Sequence, residues 1–115
     1  MRNSNTRTST TKIKLPKCKN IFYAYSDLQL KYGELLSKRN DVQEFKANVK
    51  LNGFSLGDSY TTDFVITTND GRTMIRECVY KDRILKPLTI KMLDASREYW
   101  IARGFKDWGI VVNAQ

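Results

Sequence analysis

Alternation of apolar and polar residues predicts three consecutive strands in the middle of the chain. In the segment QEFKANVKL (43–51) every second residue is apolar, which is the period of a half-buried strand. Two further apolar runs, 60–68 and 72–80, flank the sequence Asn-Asp-Gly at 69–71. That sequence is typical of a β-hairpin turn. The pattern therefore predicts a strand followed by a β-hairpin.

Helical spacing of apolar residues appears on either side of these strands. Ser26 and Gln29 form a capping box, so a helix is expected to begin at Ser26 and to end near Asn40. A second helix is expected to begin at Pro87, because proline suits the first helical turn, and to stop before Gly104.

The last apolar run completes the predicted fold. The sequence WGIVV at 108–112 is typical of a strand that is buried on both faces, as in a parallel position. The element order is then α-β-β-β-α-β, which predicts an α/β domain over residues 21–115 with a mixed central sheet flanked by helices.

Positive charge is concentrated at the start of the chain. The 115 residues include 20 basic and 12 acidic residues, a net charge of +8, yet residues 1–19 contain no acid. We expect residues 1–20 to form a basic, mostly disordered arm that contacts nucleic-acid phosphates, or alternatively a solvated tail. The alternation KIKLPK within it is compatible with a short edge strand. The basic residues of the arm are Arg2, Arg7, Lys12, Lys14, Lys17 and Lys19.

Residue types that are missing exclude several kinds of site. The chain has no histidine, so zinc sites that need histidine and Ser–His or Cys–His catalysis are excluded. Cys18 and Cys78 are the only cysteines and form no CxxC motif, which favours a reduced, cytoplasmic setting. No apolar run is long enough for a transmembrane helix, so no membrane partner is expected.

One carboxylate lies inside each strand of the predicted hairpin. With a three-residue turn, Asp63 on the first strand lies opposite Glu77 on the second. With a two-residue turn, the two acids point to opposite faces of the sheet. The sequence permits both registers.

A divalent cation would explain two facing acids. Like charges about 5 Å apart are unfavourable, and Mg²⁺ accepts carboxylate oxygens as ligands. The alternative is that Asp63 pairs with a nearby arginine or lysine while Glu77 lies on a solvated face.

Five short motifs follow one another along the predicted elements: YTTDFV, DG, RECV, LDASREYW and DWGIV. Together they resemble the N-terminal catalytic domain of TnsA, the endonuclease subunit of heteromeric transposases. The resemblance covers roughly residues 26–112 and includes the order of the predicted elements. It implies a restriction-endonuclease-like core of the PD-(D/E)xK superfamily, with Mg²⁺ or Mn²⁺ as cofactor.

The resemblance also implies a set of site residues. Asp63 and Glu77 match the metal-binding acids of the family. Gln29 stands where the family has a glutamate of the first helix, and Val79 stands where it has a lysine. Two of the four matched positions therefore depart from the family pattern.

A lysine from elsewhere in the chain is expected to replace the one lost at Val79. Lys81 would share the face of Val79 if the strand continued, and Lys91 and Arg97 on the second helix are alternatives. Any of them would serve, because catalysis needs a cation at a position in space, not in sequence.

Two classes of function follow from this reading. The first is a Mg²⁺-dependent DNA endonuclease of a mobile element, with Gln29, Asp63, Glu77 and Lys81 as catalytic residues. The second is a nuclease-dead protein that binds DNA or RNA. Such a protein would assist a transposase subunit, or would inhibit a host defence nuclease as a phage anti-CRISPR protein does.

Overall fold

The computed structural model describes residues 2–3 and 10–114, with the backbone alone for residues 2–3. This part of the chain has an α/β fold with a mixed sheet and two α-helices. The helices are α1 (Asp27–Lys38) and α2 (Pro87–Ala102), and a 3-10 turn covers Lys81–Arg83. The strands are β1 (Arg2–Asn3), β2 (Thr11–Ile13), β3 (Phe22–Ala24), β4 (Val42–Lys50), β5 (Tyr60–Thr68), β6 (Thr73–Cys78) and β7 (Trp108–Val111).

The main sheet combines an antiparallel meander with one parallel strand. Strands β4, β5 and β6 pair antiparallel in chain order, and β7 pairs parallel to β6 after the chain has passed through α2. The short β1 pairs with β5 at Tyr60 and Thr61, and β2 and β3 form a separate hairpin. The predicted order α-β-β-β-α-β is confirmed from α1 to β7.

The hairpin between β5 and β6 adopts the register of the three-residue turn. The Thr68 amide donates to the Arg72 carbonyl oxygen at 2.9 Å, which leaves residues 69–71 as the loop. Gly71 has a φ of 85°, the left-handed conformation that this turn requires at its last position. Phe64 consequently pairs with Arg76.

Each helix covers one face of the sheet. On the α1 face, Phe64 of β5 packs with Phe22, Phe45 and Leu36 in one buried cluster. On the α2 face, a second buried cluster contains Leu51, Phe54, Tyr60, Ile75 and Trp100. None of the helices in the described part of the chain is long and apolar enough to cross a membrane.

Residues 10–20 are folded and include the short strand that the alternation KIKLPK allows, while residues 4–9 of the predicted arm lie outside the described part of the chain. Strand β2 pairs with β3 over Thr11–Ile13, and Leu15 is buried in the α1-side cluster. The Lys19 amide donates to the Phe45 carbonyl oxygen at 2.8 Å, which attaches this segment to β4. The apolar residues within KIKLPK contact the core, and this contact offsets the entropy lost on ordering.

Two expectations about strands near the C-terminal half are wrong. Strand β7 is not buried on both faces, because it lies at the edge of the described sheet and Ile110 is 38% exposed. Strand β6 ends at Cys78, two residues before the predicted end, because the chain enters the 3-10 turn after Tyr80.

Gly33 of α1 packs closely against Phe22 and Leu15, and replacing it by alanine should destabilise the fold. A Cβ atom there would lie 2.8 Å from Phe22 Cζ and 3.1 Å from a methyl carbon of Leu15. We expect Gly33→Ala to lower the free energy of unfolding by about 1–3 kcal/mol, measured by urea denaturation.

Ser37→Ala is the matched control one turn along the same helix. The Ser37 hydroxyl is buried and has no hydrogen-bond partner among the described residues, so its removal should be neutral or slightly stabilising. Equal unfolding midpoints for Gly33→Ala and wild type would contradict the close packing described for α1.

Candidate functional site

Strands β5 and β6 separate at the two carboxylates. Their ladder runs from Thr67 opposite Thr73 to Phe64 opposite Arg76 and then ends. Asp63 and Glu77 would be the next pair in this register. Beyond this point β6 continues only with β7, through Cys78. We call this point of separation the fork.

The carboxylates connect the two strands where the ladder stops. The Asp63 amide donates to Glu77 Oε1 at 2.9 Å, and the Cys78 amide donates to Asp63 Oδ2 at 2.7 Å. Asp63 is only 3% exposed and Glu77 is fully buried. Each side chain therefore accepts a buried N–H that the interrupted ladder leaves without a backbone acceptor.

The two side chains lie on opposite sides of the sheet, because the alternation of β5 changes at Asp63. Thr62 contacts Trp100 of α2, whereas Phe64 packs against Phe45 on the α1 side. The Asp63 carboxylate, between them, accepts from Gln29 of α1. The two acids lie on neighbouring strands, but their side chains belong to two separate polar clusters.

The cluster on the α2 side surrounds Glu77 with hydroxyl donors. Glu77 Oε2 accepts from Tyr60 Oη at 2.7 Å, from Thr62 Oγ1 at 3.1 Å and from Ser96 Oγ at 2.6 Å. Burial, together with the negative charge of Glu77, raises the pKa of Tyr60 well above its usual value. Tyr60 therefore remains a neutral donor to Glu77.

The cluster on the α1 side is built around Gln29, which is buried. Gln29 Nε2 donates to Asn48 Oδ1 at 2.8 Å and to Asp63 Oδ1 at 3.3 Å. Gln29 Oε1 accepts from the Tyr25 amide at 2.9 Å, one residue before the position that a capping box would use. One half of the predicted capping box is present, because Ser26 Oγ accepts from the Gln29 amide at 3.0 Å. The Gln29 side chain itself joins the Tyr25 amide to Asp63.

Asn48 has an unusual backbone conformation at the same place. Its φ is 54°, and the register of β4 and β5 places it opposite Asp63. Its side-chain amide donates to the Tyr23 carbonyl oxygen at 2.8 Å. Asparagine tolerates this left-handed conformation better than most residues, so Asn48 allows β4 to follow the change of face in β5. Nothing in the sequence pattern marks this residue.

The donor set around the acids fits a divalent cation poorly. Asp63 and Glu77 supply the oxygen ligands that Mg²⁺ prefers. However, Glu77 already accepts four hydrogen bonds, and Gln29 Oε1 is directed to the Tyr25 amide. In residues 10–114 no group of three or more acidic, cysteine or histidine side chains is arranged to hold a metal ion. A bound cation would have to displace donors from a buried carboxylate.

The cations expected to replace the family lysine are exposed, whereas the two acids are buried. Val79 is buried, and its amide donates to the Val111 carbonyl oxygen at 2.9 Å. Lys81 is exposed in the 3-10 turn, so the expectation that it extends the β6 face is wrong. Lys91 and Arg97 are exposed on α2.

Three of the predicted phosphate-binding lysines meet around an open cavity of about 650 Å³, which we call the basic groove. Lys17 is not one of them, since its ammonium group donates to the Arg39 carbonyl oxygen. Arg7 and the Arg2 side chain lie outside the described residues. The groove is lined by Lys12, Ile13, Lys14, Leu15, Pro16, Cys18, Lys19, Asn20 and Ile21.

Comparison with known proteins adds no family to this picture. A scan against protein-family models finds no match, and a search of curated proteins finds no significant match. The similarity to TnsA therefore rests on the short motifs and on the order of elements. Function has to be inferred from the fork and from the basic groove.

Replacing Glu77 by glutamine should destabilise the protein strongly. The new amide group would face at least one hydroxyl or amide donor in place of an acceptor oxygen, inside the sheet. We expect Glu77→Gln to lower the free energy of unfolding by about 3 kcal/mol in urea denaturation. Glu98→Gln on the exposed face of α2 is the control and should change stability by less than about 0.5 kcal/mol. Similar stabilities for the two variants would refute a structural role for Glu77.

The two cysteines should differ in reactivity. Burial raises the pKa of Cys78 to about 12, whereas Cys18 is only half-buried and its pKa is raised less. At pH 8 only about one Cys78 in ten thousand is then a thiolate. We expect iodoacetamide to label the Cys78→Ser variant, which keeps Cys18, much faster than the Cys18→Ser variant. Both should react equally in concentrated guanidinium, and fast labelling of native Cys78 would contradict its burial.

Proposed function

We propose that this protein binds nucleic acid through the basic groove and belongs to a mobile element. We further propose that its α/β fold is TnsA-like, with a restriction-endonuclease-like core that does not cleave. The observation that carries the proposal is the meeting of Lys12, Lys14 and Lys19 around one open cavity. Lysines neutralise phosphates and release counterions, and this is the main source of affinity for DNA and RNA.

The shape and lining of the groove support a nucleic-acid ligand. Its lysines are exposed, and its apolar lining includes Ile13, Pro16 and the exposed Ile21. A strand of nucleic acid presents phosphates next to sugars and base faces, which suit charged and apolar contacts respectively. Lys12 also lies 5.9 Å from the ring centroid of Tyr23, so an aromatic face adjoins the charged one.

The fork supports a binding function over a cleaving one. Glu77 is buried and accepts four hydrogen bonds, and a valine occupies the position of the family lysine. Lys81, Lys91 and Arg97 are all exposed to solvent. The acids instead hold two separating strands together, which gives them a reason to be present without any chemistry.

A Mg²⁺- or Mn²⁺-dependent DNA endonuclease is the second candidate. It is favoured by the position of Gln29, Asp63 and Glu77 at the fork, where Gln29 donates to Asp63 and the Asp63 amide donates to Glu77. The TnsA resemblance implies a catalytic role for these three residues. Under the first proposal, the protein would act by occluding DNA or RNA. It would then assist a transposase subunit or inhibit a host defence nuclease, as an anti-CRISPR protein does.

Neutralising the groove should weaken nucleic-acid binding and reduce its salt dependence. We expect the triple variant Lys12→Gln, Lys14→Gln and Lys19→Gln to reduce the slope of log K against log salt by about 2–3, measured by fluorescence anisotropy. The control removes the same charge from exposed lysines outside the groove: Lys81→Gln, Lys91→Gln and Lys106→Gln. Equal loss in the two triple variants would show that net charge, not the groove, determines binding.

The choice between binding and cleavage is tested with supercoiled plasmid in Mg²⁺ and in Mn²⁺. We expect the wild-type protein to retard the plasmid on a gel without nicking it, because a cation would have to displace the hydroxyl donors around Glu77. Metal-dependent nicking by the wild type that is lost in a folded Asp63→Asn variant would replace this proposal by the endonuclease.

A further inference from the structure

Leucine side chains are exposed where α2 begins. Leu85, just before the helix, is 82% exposed, and Leu88 in its first turn is 66% exposed. Leu88 also lines a small cavity of about 200 Å³ together with Leu56 and Met92. We call Leu56, Leu85, Leu88 and Met92 the leucine patch. Large apolar side chains grouped on a surface in this way mark interaction sites.

Most charged residues next to Leu85 and Leu88 along the chain are basic, and Lys91 also lines the cavity. Lys81, Arg83, Lys86 and Lys91 are all exposed, and Asp82 is the one acid between residues 81 and 92. The first turn of α2 contains no acidic residue, so nothing there offsets the positive end of the helix dipole. The patch therefore combines apolar contact area with a positive potential.

Two occupants from the chain itself are disfavoured. Residues 4–9 have the sequence SNTRTS, which contains no apolar side chain that could cover the leucines. A second copy would bring two basic patches together on a protein whose net charge is already +8. Like charges at an interface cost several kcal/mol in general, which opposes self-association.

We propose that the leucine patch binds an acidic, amphipathic helical segment of another protein. Leucine or similar side chains of the partner would cover Leu85 and Leu88 and enter the cavity beside Met92, while its acidic side chains would face Lys86 and Lys91. This mode of recognition places the apolar face of a helix in a groove. The patch shares no lining residue with the basic groove, so partner and nucleic acid can bind together.

The experiment uses a fluorescein-labelled helical peptide with leucines on one face and glutamates on the other. Anisotropy should show saturable binding to the full-length protein, weakened tenfold or more by Leu85→Ser combined with Leu88→Ser. Both leucines are exposed, so the variant should keep the wild-type unfolding midpoint and its affinity for nucleic acid. The control variant Ile90→Ser changes an exposed apolar residue of α2 outside the cavity and should bind like the wild type.

Two comparison probes decide what the patch recognises. A peptide with lysine in place of every glutamate should bind at least tenfold more weakly. Vesicles of phosphatidylcholine and phosphatidylserine should bind the wild type no better than they bind the Ile90→Ser variant or the double variant. Stronger binding of vesicles by the wild type than by the double variant would assign the patch to an anionic lipid surface and overturn the proposal. Unchanged peptide binding in the double variant, or dimerisation of the wild type alone in sedimentation, would also overturn it.

Discussion

The fork imposes the main physical constraint on this fold. Where β5 and β6 separate, the amides of Asp63 and Cys78 lie inside the protein without a backbone acceptor from the neighbouring strand. Each buried N–H left without an acceptor would cost about 1–3 kcal/mol. The carboxylates of Glu77 and Asp63 accept these two hydrogen bonds. Two acids inside a hairpin are thus compatible with burial, because their carboxylates accept the hydrogen bonds that backbone carbonyls would accept if β5 and β6 continued to pair.

The separation of the strands also determines how the two helices pack. Glu77 reaches Ser96 of α2, while Asp63 reaches Gln29 of α1, so each helix is joined to the sheet by one of the acids. The change of face in β5 lets Tyr60 enter one core and Phe64 the other. A carboxylate pair used in this way is held by many partners at once. Releasing it for another role would disturb both cores, and this supports the proposal that the basic groove, not the fork, binds the ligand.

Local sequence signals predicted the elements well, and tertiary contacts account for the rest. The bounds of β5 follow from its apolar run, and the register with β6 follows from Asn-Asp-Gly, because turn chemistry acts within a few residues. The fork did not follow, since no local signal marks the residue at which β5 and β6 stop pairing. For the same reason Lys81 was placed on a strand that ends at Cys78. The basic composition of the arm predicted the groove lysines as phosphate-binding residues. Their arrangement around a cavity was not predicted, because it depends on the burial of Leu15 among residues distant in sequence.

The parallel pairing of β6 and β7 has a consequence for biosynthesis. The edge of β6 that faces away from β5 pairs with residues 108–111, which leave the ribosome only after the whole of α2 has been made. Until then the backbone groups from Ile75 to Cys78 remain unpaired on that side, and an unpaired strand edge invites pairing with other chains. Slow translation through α2 would therefore prolong the interval in which this edge is open to pairing with other chains.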